Sequence, residues 1–161
     1  MAHTFTQLYI HLVFAVQGRQ SLIQNSFKSE LCKYITGIVQ RPDRGHKLIA
    51  INGPANHIHI LIGLNPDQTI ADLVRDIKIS SSKLINSRGW TRGRFRWQEG
   101  YGAFSNSRSQ LQAVARYIER QEELHKRFTF HEEYLGLLDR YAVLYDRRYL
   151  FEWVDDDVPE E

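Results

Sequence analysis

The stretch NHIHILI, residues 56–62, places two histidines one residue apart inside an apolar segment. Successive side chains of a β-strand point to opposite faces, so His57 and His59 share one face while the three isoleucines share the other. The isoleucines suit a hydrophobic core. The pattern therefore predicts a sheet with one packed face and two imidazoles side by side on the opposite face, placed to hold one divalent cation.

The segments around this strand follow the order strand, helix, strand, strand, helix, strand, and then further helices. Strands are predicted at 4–16, 47–52, 57–64 and 95–104. Helices are predicted to begin after Ser26, after Thr69, after Ser107 or Ser109 (running to about Arg127) and after Thr129. This order predicts an α+β, ferredoxin-like (RRM-like) fold, an antiparallel four-stranded sheet with two helices on one face. An appended helix or a second subunit would have to cover the histidine face.

The charge of the chain is distributed unevenly. The 161 residues carry a net charge of +2, but the last ten include six acids and no lysine or arginine. The preceding 151 residues hold 21 bases against 13 acids, a net charge of +8. We therefore expect one domain over 1–151 and an acidic, flexible tail over 152–161.

The composition is that of an ordinary globular protein. No apolar run is long enough to cross a bilayer, and the first residues lack the pattern of a signal peptide. A single cysteine, Cys32, excludes an internal disulfide and agrees with a reducing compartment. The sequence predicts a soluble cytoplasmic protein without a membrane partner.

Basic residues alternate with aromatic residues and glycines in the segment RGWTRGRFRW, residues 88–97. Such a segment suits phosphates together with stacked bases, although a solvated loop leading into a strand is the simpler interpretation. The candidate phosphate contacts in this loop and the helix before it are Arg75, Lys78, Lys83, Arg88, Arg92, Arg94 and Arg96.

A later helix adds candidate chemistry. Tyr117, Gln121 and His125 are spaced by four and form one stripe along it. The amide oxygen of Gln121 suits a hard ion such as Mg²⁺ or Mn²⁺. A metal held by His57, His59 and Gln121 would polarise a phosphodiester for attack by the phenol of Tyr117. From the residues alone, an incidental histidine pair and a core-edge tyrosine remain open.

Two further histidines are candidates for a supporting role. His11 alternates with the core positions of the first strand, which would place it near the metal on an adjacent strand. His125 is either a supporting residue or an alternative ligand. A purely structural histidine is the competing interpretation for both.

Several stretches resemble a known family, the single-tyrosine HUH transposases, which are the small transposases of the 200/605 insertion-sequence class. The matching stretches are TQLYIHLVFA at 6–15, NGPANHIH at 52–59, WQEGYGAFS at 97–105, YIERQEELH at 117–125 and Glu132-Glu133-Tyr134. The resemblance covers nearly the whole chain. One departure is Leu124, where many relatives carry a histidine beside His125, and it leaves the role of that neighbour in doubt.

The resemblance implies a metal-dependent endonuclease that cuts and rejoins single-stranded DNA bearing hairpins and works as a homodimer. His57, His59 and Gln121 would bind Mg²⁺ or Mn²⁺. Tyr117, carried on the C-terminal helices, would become attached to the 5′ phosphate at the cut. The protein would act in a bacterial or archaeal cell, at the nucleoid.

Other functions stay open at this point. A domesticated relative that nicks repeated hairpins would have the same residues. Replication initiators usually carry lysine where this chain has Gln121, and conjugative relaxases place their tyrosine before the histidines. From other classes, a non-catalytic ferredoxin-like module would bind nucleic acid without cutting it, and a metallohydrolase would use activated water instead of Tyr117.

Overall fold

The computed structural model describes residues 4–144. Its strands are β1 Tyr9–Ala15, β2 Lys47–Asn52, β3 His57–Gly63 and β4 Gly102–Asn106. Its α-helices are α1 Asn25–Val39, α2 Ile70–Arg88, α3 Leu111–Glu119, α4 Gln121–Leu124 and α5 Phe130–Arg140. The order of strands and helices confirms the prediction. The expected acidic tail lies outside the described residues.

The four strands form one antiparallel sheet in the order β2-β3-β1-β4. This is the ferredoxin-like arrangement, in which the two central strands are β1 and β3. Val13 of β1 pairs with His59 of β3, and Ala15 pairs with His57. The histidine pair therefore lies in the middle of the sheet, on its central strand pair.

One face of the sheet packs against α1 and α2, as the alternation in β3 predicts. The side chains that alternate with the histidines point into this layer and are buried with apolar residues of both helices. The main members are Leu12, Phe14, Ile58, Ile60, Ile62, Leu31, Ile35, Leu73, Ile77, Phe95 and Trp97. This layer is the larger of the two and fixes which way the histidines must face.

The opposite face is covered by the chain's own helices. Val13, Ala15 and Phe104 of the sheet pack against the apolar side of α5. Ala50 and Leu61 pack against Ile118 of α3. An appended helical layer thus supplies the cover, and the histidines are enclosed between the sheet and that layer.

The fourth strand begins later than predicted. Phe95 and Trp97 are buried in the α1–α2 layer, where both rings meet edge to face at 4.9 Å, and Trp97 forms only an isolated bridge with Val16. Gly100 then takes a positive φ of 87°, which turns the chain before pairing starts at Gly102. The first strand is also shorter than predicted: it spans Tyr9–Ala15, which pairs with β3 throughout and with β4 over Tyr9–Val13.

The helix expected to run to about Arg127 is broken. It ends at Glu119, and Arg120 has φ −94° and ψ 17° before α4 starts at Gln121. The side-chain amide of Asn52 donates to the carbonyls of Ile118 and Glu119, each at 3.1 Å, where α3 ends. The break turns Gln121 toward the histidine face.

The local capping signals are largely confirmed. The Thr69 hydroxyl accepts from the backbone N–H of Asp72 at 3.1 Å, and Gly89 ends α2 in the left-handed conformation. Thr129 caps α5 in the same way. The predicted cap Ser26 was wrong, because α1 already begins at Asn25 and has no side-chain cap. Among residues 4–144, no helix has the length and apolar character required to span a membrane.

Candidate metal and tyrosine site

The site begins with the two histidines of β3. Both are fully buried, and their ring centroids are 5.0 Å apart. The ring of Phe130 stacks on His57 with a centroid distance of 3.7 Å and an interplanar angle of 17°. The pair is therefore held rigidly between the sheet and α5.

The outer ring nitrogen of each histidine has a hydrogen-bonding partner. His57 Nδ1 lies 2.7 Å from the Asn56 amide oxygen, which can only accept, so Nδ1 carries the hydrogen. His59 Nδ1 lies 2.7 Å from His11 Nε2. Burial lowers the pKa of both His11 and His57 to about 3, so the two rings are neutral. The structure thus places His11 beside His59, on the adjacent strand β1.

A carboxylate that the sequence reasoning did not assign lies at the centre of the site. Glu133 Oε1 is 3.0 Å from His57 Nε2, 3.3 Å from His59 Nε2 and 3.0 Å from His125 Nε2. Its side chain is almost fully buried. Three imidazoles therefore converge on one carboxylate oxygen.

The second oxygen of the same carboxylate holds the candidate nucleophile. The Tyr117 hydroxyl donates to Glu133 Oε2, and Gln121 Nε2 donates to the same atom at 2.8 Å. The other end of the Gln121 amide, Oε1, lies 3.3 Å from His57 Nε2. All four residues first proposed for the chemistry, His57, His59, Tyr117 and Gln121, are brought together in one chain.

The pKa values of Glu133 and Tyr117 are shifted in opposite directions. Burial by itself raises the pKa of Glu133, but interaction with His59 and the hydrogen bond with His125 outweigh it, so the pKa lies well below its usual range. Burial, and then the charge of Glu133, hold the pKa of Tyr117 well above its usual range. The site at rest is a neutral phenol held by a charged carboxylate.

Glu133 had a detectable signal in the sequence. In α5 it occupies the same buried stripe as Phe130, Tyr134 and Leu137, at helical spacing. An acid on the apolar side of a helix needs a buried partner, since an unpaired charge there is strongly unfavourable. That mismatch marks Glu133 as a candidate, but the sequence does not say which groups it meets.

A cleft of about 970 Å³ opens between α3 and α5 and leads to the phenol. Its wall includes Tyr117, Glu133, His11, Arg140 and Tyr141. Arg140 is exposed and lies close enough to influence the Tyr117 phenol, whose pKa its positive charge tends to lower. The cleft therefore gives access to the Tyr117 phenol and carries one positive charge, Arg140, beside the carboxylates of Glu132 and Glu133.

The basic residues singled out in the sequence lie on the other side of the sheet. Arg75, Lys78 and Arg96 line a separate cleft of about 600 Å³. Lys78 Nζ donates to the carbonyls of Gln98 at 2.8 Å and Gly100 at 2.6 Å, and burial lowers the pKa of Lys78 to about 8. Four further cations are exposed to solvent, namely Lys83, Arg88, Arg92 and Arg94.

This basic segment and the histidines meet at the same end of the sheet. The backbone N–H of Gln98 donates to the carbonyl of Ala15 at 2.8 Å, and Ala15 is paired with His57.

The donor set fits a divalent cation. His57 presents a neutral Nε2 to the interior, because its hydrogen is engaged by Asn56. An amide oxygen from Gln121 and a charged carboxylate from Glu133 face the same point. Imidazole nitrogens combined with carboxylate and amide oxygens are suitable ligands for Mn²⁺ and related ions, and the oxygens also suit Mg²⁺.

Comparison with known proteins gives consistent matches. Residues 4–121 match the family model described as Transposase IS200 like. The ISDra2 transposase TnpA of Deinococcus radiodurans is 23% identical over 124 residues, which cover 73% of this chain and 86% of that protein.

Two solved structures share the fold. A crystal structure described as a transposase from Deinococcus radiodurans R1 matches with a TM-score of 0.56 and 23% identity, covering 75% of this chain and 95% of that one. A REP-associated tyrosine transposase bound to a REP hairpin matches with a TM-score of 0.57 and 16% identity, covering 78% of this chain and 73% of that one. The ferredoxin-like arrangement is therefore the fold of these proteins.

Proposed function

Because this chain belongs to the family of IS200-like transposases, we propose that it cleaves and rejoins single-stranded DNA through a covalent bond to Tyr117. One observation carries the proposal. The Tyr117 hydroxyl and the imidazoles of His57 and His59 meet on the two oxygens of a single buried carboxylate, Glu133. A nucleophile and a metal-binding group are thus adjacent within one chain.

Each residue of the site has a separate role in the proposed reaction. A phosphodiester enters the cleft between α3 and α5, where Arg140 offers a positive charge to the phosphate. Glu133 Oε2 accepts the hydrogen bond from the Tyr117 hydroxyl and fixes the direction of the phenol oxygen. A divalent ion, Mg²⁺ or Mn²⁺, held by His57, His59 and Gln121 would neutralise charge on the phosphate.

Cleavage then proceeds by exchange of one ester bond for another. The phenol oxygen bonds to phosphorus as its proton passes to Glu133 Oε2. The bond from phosphorus to the 3′ oxygen breaks, and that oxygen takes up a proton from solvent. The products are a 5′-phosphotyrosine on Tyr117 and a free 3′ hydroxyl, so the ester bond energy is retained for rejoining.

We propose hairpin-bearing single-stranded DNA as the substrate. The structural neighbour that shares the fold is bound to a REP hairpin. Here the exposed arginines of the basic loop lie at the His57 end of the sheet, where they would contact the phosphates of a hairpin while its single-stranded flank enters the site. Mobilising an element and nicking dispersed hairpins would use the same chemistry.

A homodimer is also proposed, although one chain already assembles the site. Tyr117 lies beside the histidines of its own chain, with a centroid distance of 5.7 Å to His59. Attack in cis therefore needs no exchange of helices between subunits. Light scattering of the purified protein, alone and with hairpin DNA, measures the assembly state.

The function is tested with a denaturing gel of labelled single-stranded hairpin oligonucleotides from DNA flanking the gene, incubated with Mn²⁺ or Mg²⁺. We expect a metal-dependent protein–DNA band that disappears in Tyr117→Phe and His59→Ala. Tyr34→Phe, a half-exposed tyrosine on α1, is the matched control and should retain the band.

Other outcomes identify the competing functions. Cleavage that persists in Tyr117→Phe without a covalent band indicates a metallohydrolase that uses water. Tight hairpin binding without cleavage in the unaltered protein indicates a non-catalytic binding module. Either result refutes the tyrosine mechanism.

A further inference from the structure

We infer that His125 and Glu133 are themselves metal ligands, so that this chain builds a centre of three imidazoles, one carboxylate and one amide oxygen that prefers divalent transition ions to Mg²⁺. The inference rests on the proposed function only in placing a metal at the same site. Both residues lie beyond 4–121, the part of the chain that matches the family model. The added ligands therefore come from the segment that follows the matched region.

The spacing of the donor atoms is that of ligands around one ion. Donor atoms of His57, His125 and Glu133 all lie within 4.8 Å of one another. Glu133 Oε1 is 3.0 Å from each of the two imidazole nitrogens. Two ligands bound at about 2.1 Å on neighbouring corners of a coordination sphere are themselves about 3.0 to 3.5 Å apart. The observed separations need little adjustment to admit an ion.

The surroundings of His57 support the same site. Its Nδ1 faces the Asn56 amide oxygen at 2.7 Å, which holds the ring with Nε2 directed into the cluster. That Nε2 lies 3.0 Å from Glu133 Oε1 and 3.3 Å from Gln121 Oε1. A bound cation would use the nitrogen and the two oxygens as ligands.

Packing orients the two added ligands, Glu133 on α5 and His125 after α4. The Thr129 hydroxyl caps α5, and the buried ring of Phe130 packs on His57, which sets the rotation of the helix so that Glu133 points inward. His125 follows α4, and its ring lies 4.8 Å from the ring of His57. Both ligands are thus placed by packing against the histidine they would join.

The ligand types predict which ions bind. Imidazole nitrogens favour Mn²⁺, Co²⁺ and Zn²⁺ over Mg²⁺, which prefers oxygen ligands and retains its water. A site with two imidazoles and an amide oxygen would discriminate weakly. A site with three imidazoles and a carboxylate should bind Mn²⁺ and Co²⁺ at least tenfold more tightly than Mg²⁺.

The test measures metal binding without DNA, on full-length protein stripped with a chelator. Calorimetric titration with Mn²⁺ and Co²⁺ is compared for the unaltered protein, Glu133→Gln, His125→Asn and the control Glu132→Gln, whose side chain is exposed on the same helix. We expect one ion per chain. Loss of a supporting residue already weakens metal binding about 10- to 100-fold, so losing a ligand should weaken it about 100-fold, while the control is unchanged.

A spectroscopic count of ligands keeps the inference testable if Glu133→Gln folds poorly. Pulsed electron paramagnetic resonance of bound Mn²⁺ should report three coupled imidazole nitrogens in the unaltered protein and two in folded His125→Asn. Two nitrogens in both proteins, or unchanged Mn²⁺ affinity in folded Glu133→Gln, would overturn the inference. Because no DNA is present, such a failure is separate from a failure to form the Tyr117–DNA bond.

Discussion

Removing one buried side chain should release α3, the helix that carries the proposed nucleophile Tyr117. Ile118 is the residue that α3 buries completely, and it packs against Ala50 and Leu61 of the sheet. Its neighbour in sequence, Tyr117, is only half-buried. Substituting Ile118→Ala therefore removes the main apolar attachment of α3 and leaves the α1–α2 layer untouched.

The expected magnitude follows from this burial. Large-to-small substitution of a fully buried isoleucine by alanine costs about 2–5 kcal/mol. The end of the helix is also held by two hydrogen bonds from Asn52 and by the hydrogen bond from Tyr117 to Glu133. If α3 opens separately from the sheet, the full loss of about 2–5 kcal/mol lowers the free energy of that local opening. Since each 1.4 kcal/mol is a factor of about ten, the population with α3 open rises about 30-fold to a few thousand-fold.

Native-state hydrogen exchange measures this directly. Amides of α3 should exchange faster by that factor in Ile118→Ala, while amides of β1 and β3 change little. Ile118→Val should show a loss of only about 0.5–1.5 kcal/mol. Ile77→Ala, an equally buried site on α2, is the matched control and should lower the free energy of global unfolding without selective exposure of α3.

Either of two results would contradict a separate opening of α3. Unchanged α3 exchange in Ile118→Ala would mean that the helix is held by contacts other than its apolar side. Equal acceleration in α3 and in the central strands would mean that α3 does not open separately from the sheet. A parallel loss of protein–DNA bond formation is expected only if α3 is released.

Three further predictions concern single contacts. Asn52→Ala removes two hydrogen bonds to the carbonyls that end α3 and should destabilise the protein by about 1–3 kcal/mol in urea unfolding, with faster exchange of α4 amides. The buried Trp97 indole N–H donates to the Ser81 hydroxyl oxygen at 2.8 Å, and Ser81→Ala removes this acceptor. The free energy of unfolding, from thermal and urea unfolding, should fall by about 1–3 kcal/mol, and by about 0.5 kcal/mol or less in the control Ser82→Ala. Buried His46 accepts a hydrogen bond from the backbone N–H of Asn65, and burial lowers the pKa of His46 below its usual 6.5. The folded state therefore binds fewer protons than the unfolded chain, so the protein should lose stability as the pH falls below 6.5. His46→Asn should make that decline shallower, and an equal slope in both proteins would contradict the assignment.

The arrangement of the site explains why the C-terminal helices matter for chemistry as well as for packing. They cover the histidine face and at the same time deliver Tyr117, Gln121, His125 and Glu133 to it. A change that loosens these helices should therefore affect the proposed metal site and the Tyr117 phenol together. Changes confined to the α1–α2 layer should affect stability first.

The sequence by itself determined the features that depend on neighbours a few residues apart. Alternation in β3 set the two faces of the sheet, and short-range hydrogen bonds at Thr69 and Thr129 set the starts of α2 and α5. The four-residue spacing of Tyr117 and Gln121 identified two residues that do meet at the site. Period and capping act over one or two turns, so one sequence is enough to recognise them.

Only the tertiary structure decided which distant groups share the site. Glu133 meets His57 across 76 positions of sequence, and Asn52 meets the end of α3 across 66. The late start of β4 depends on Trp97 being drawn into the α1–α2 layer instead of pairing along the edge of the sheet. These outcomes follow from packing and from the need to pair every buried charge, which are properties of the folded whole and leave no periodic trace along the chain.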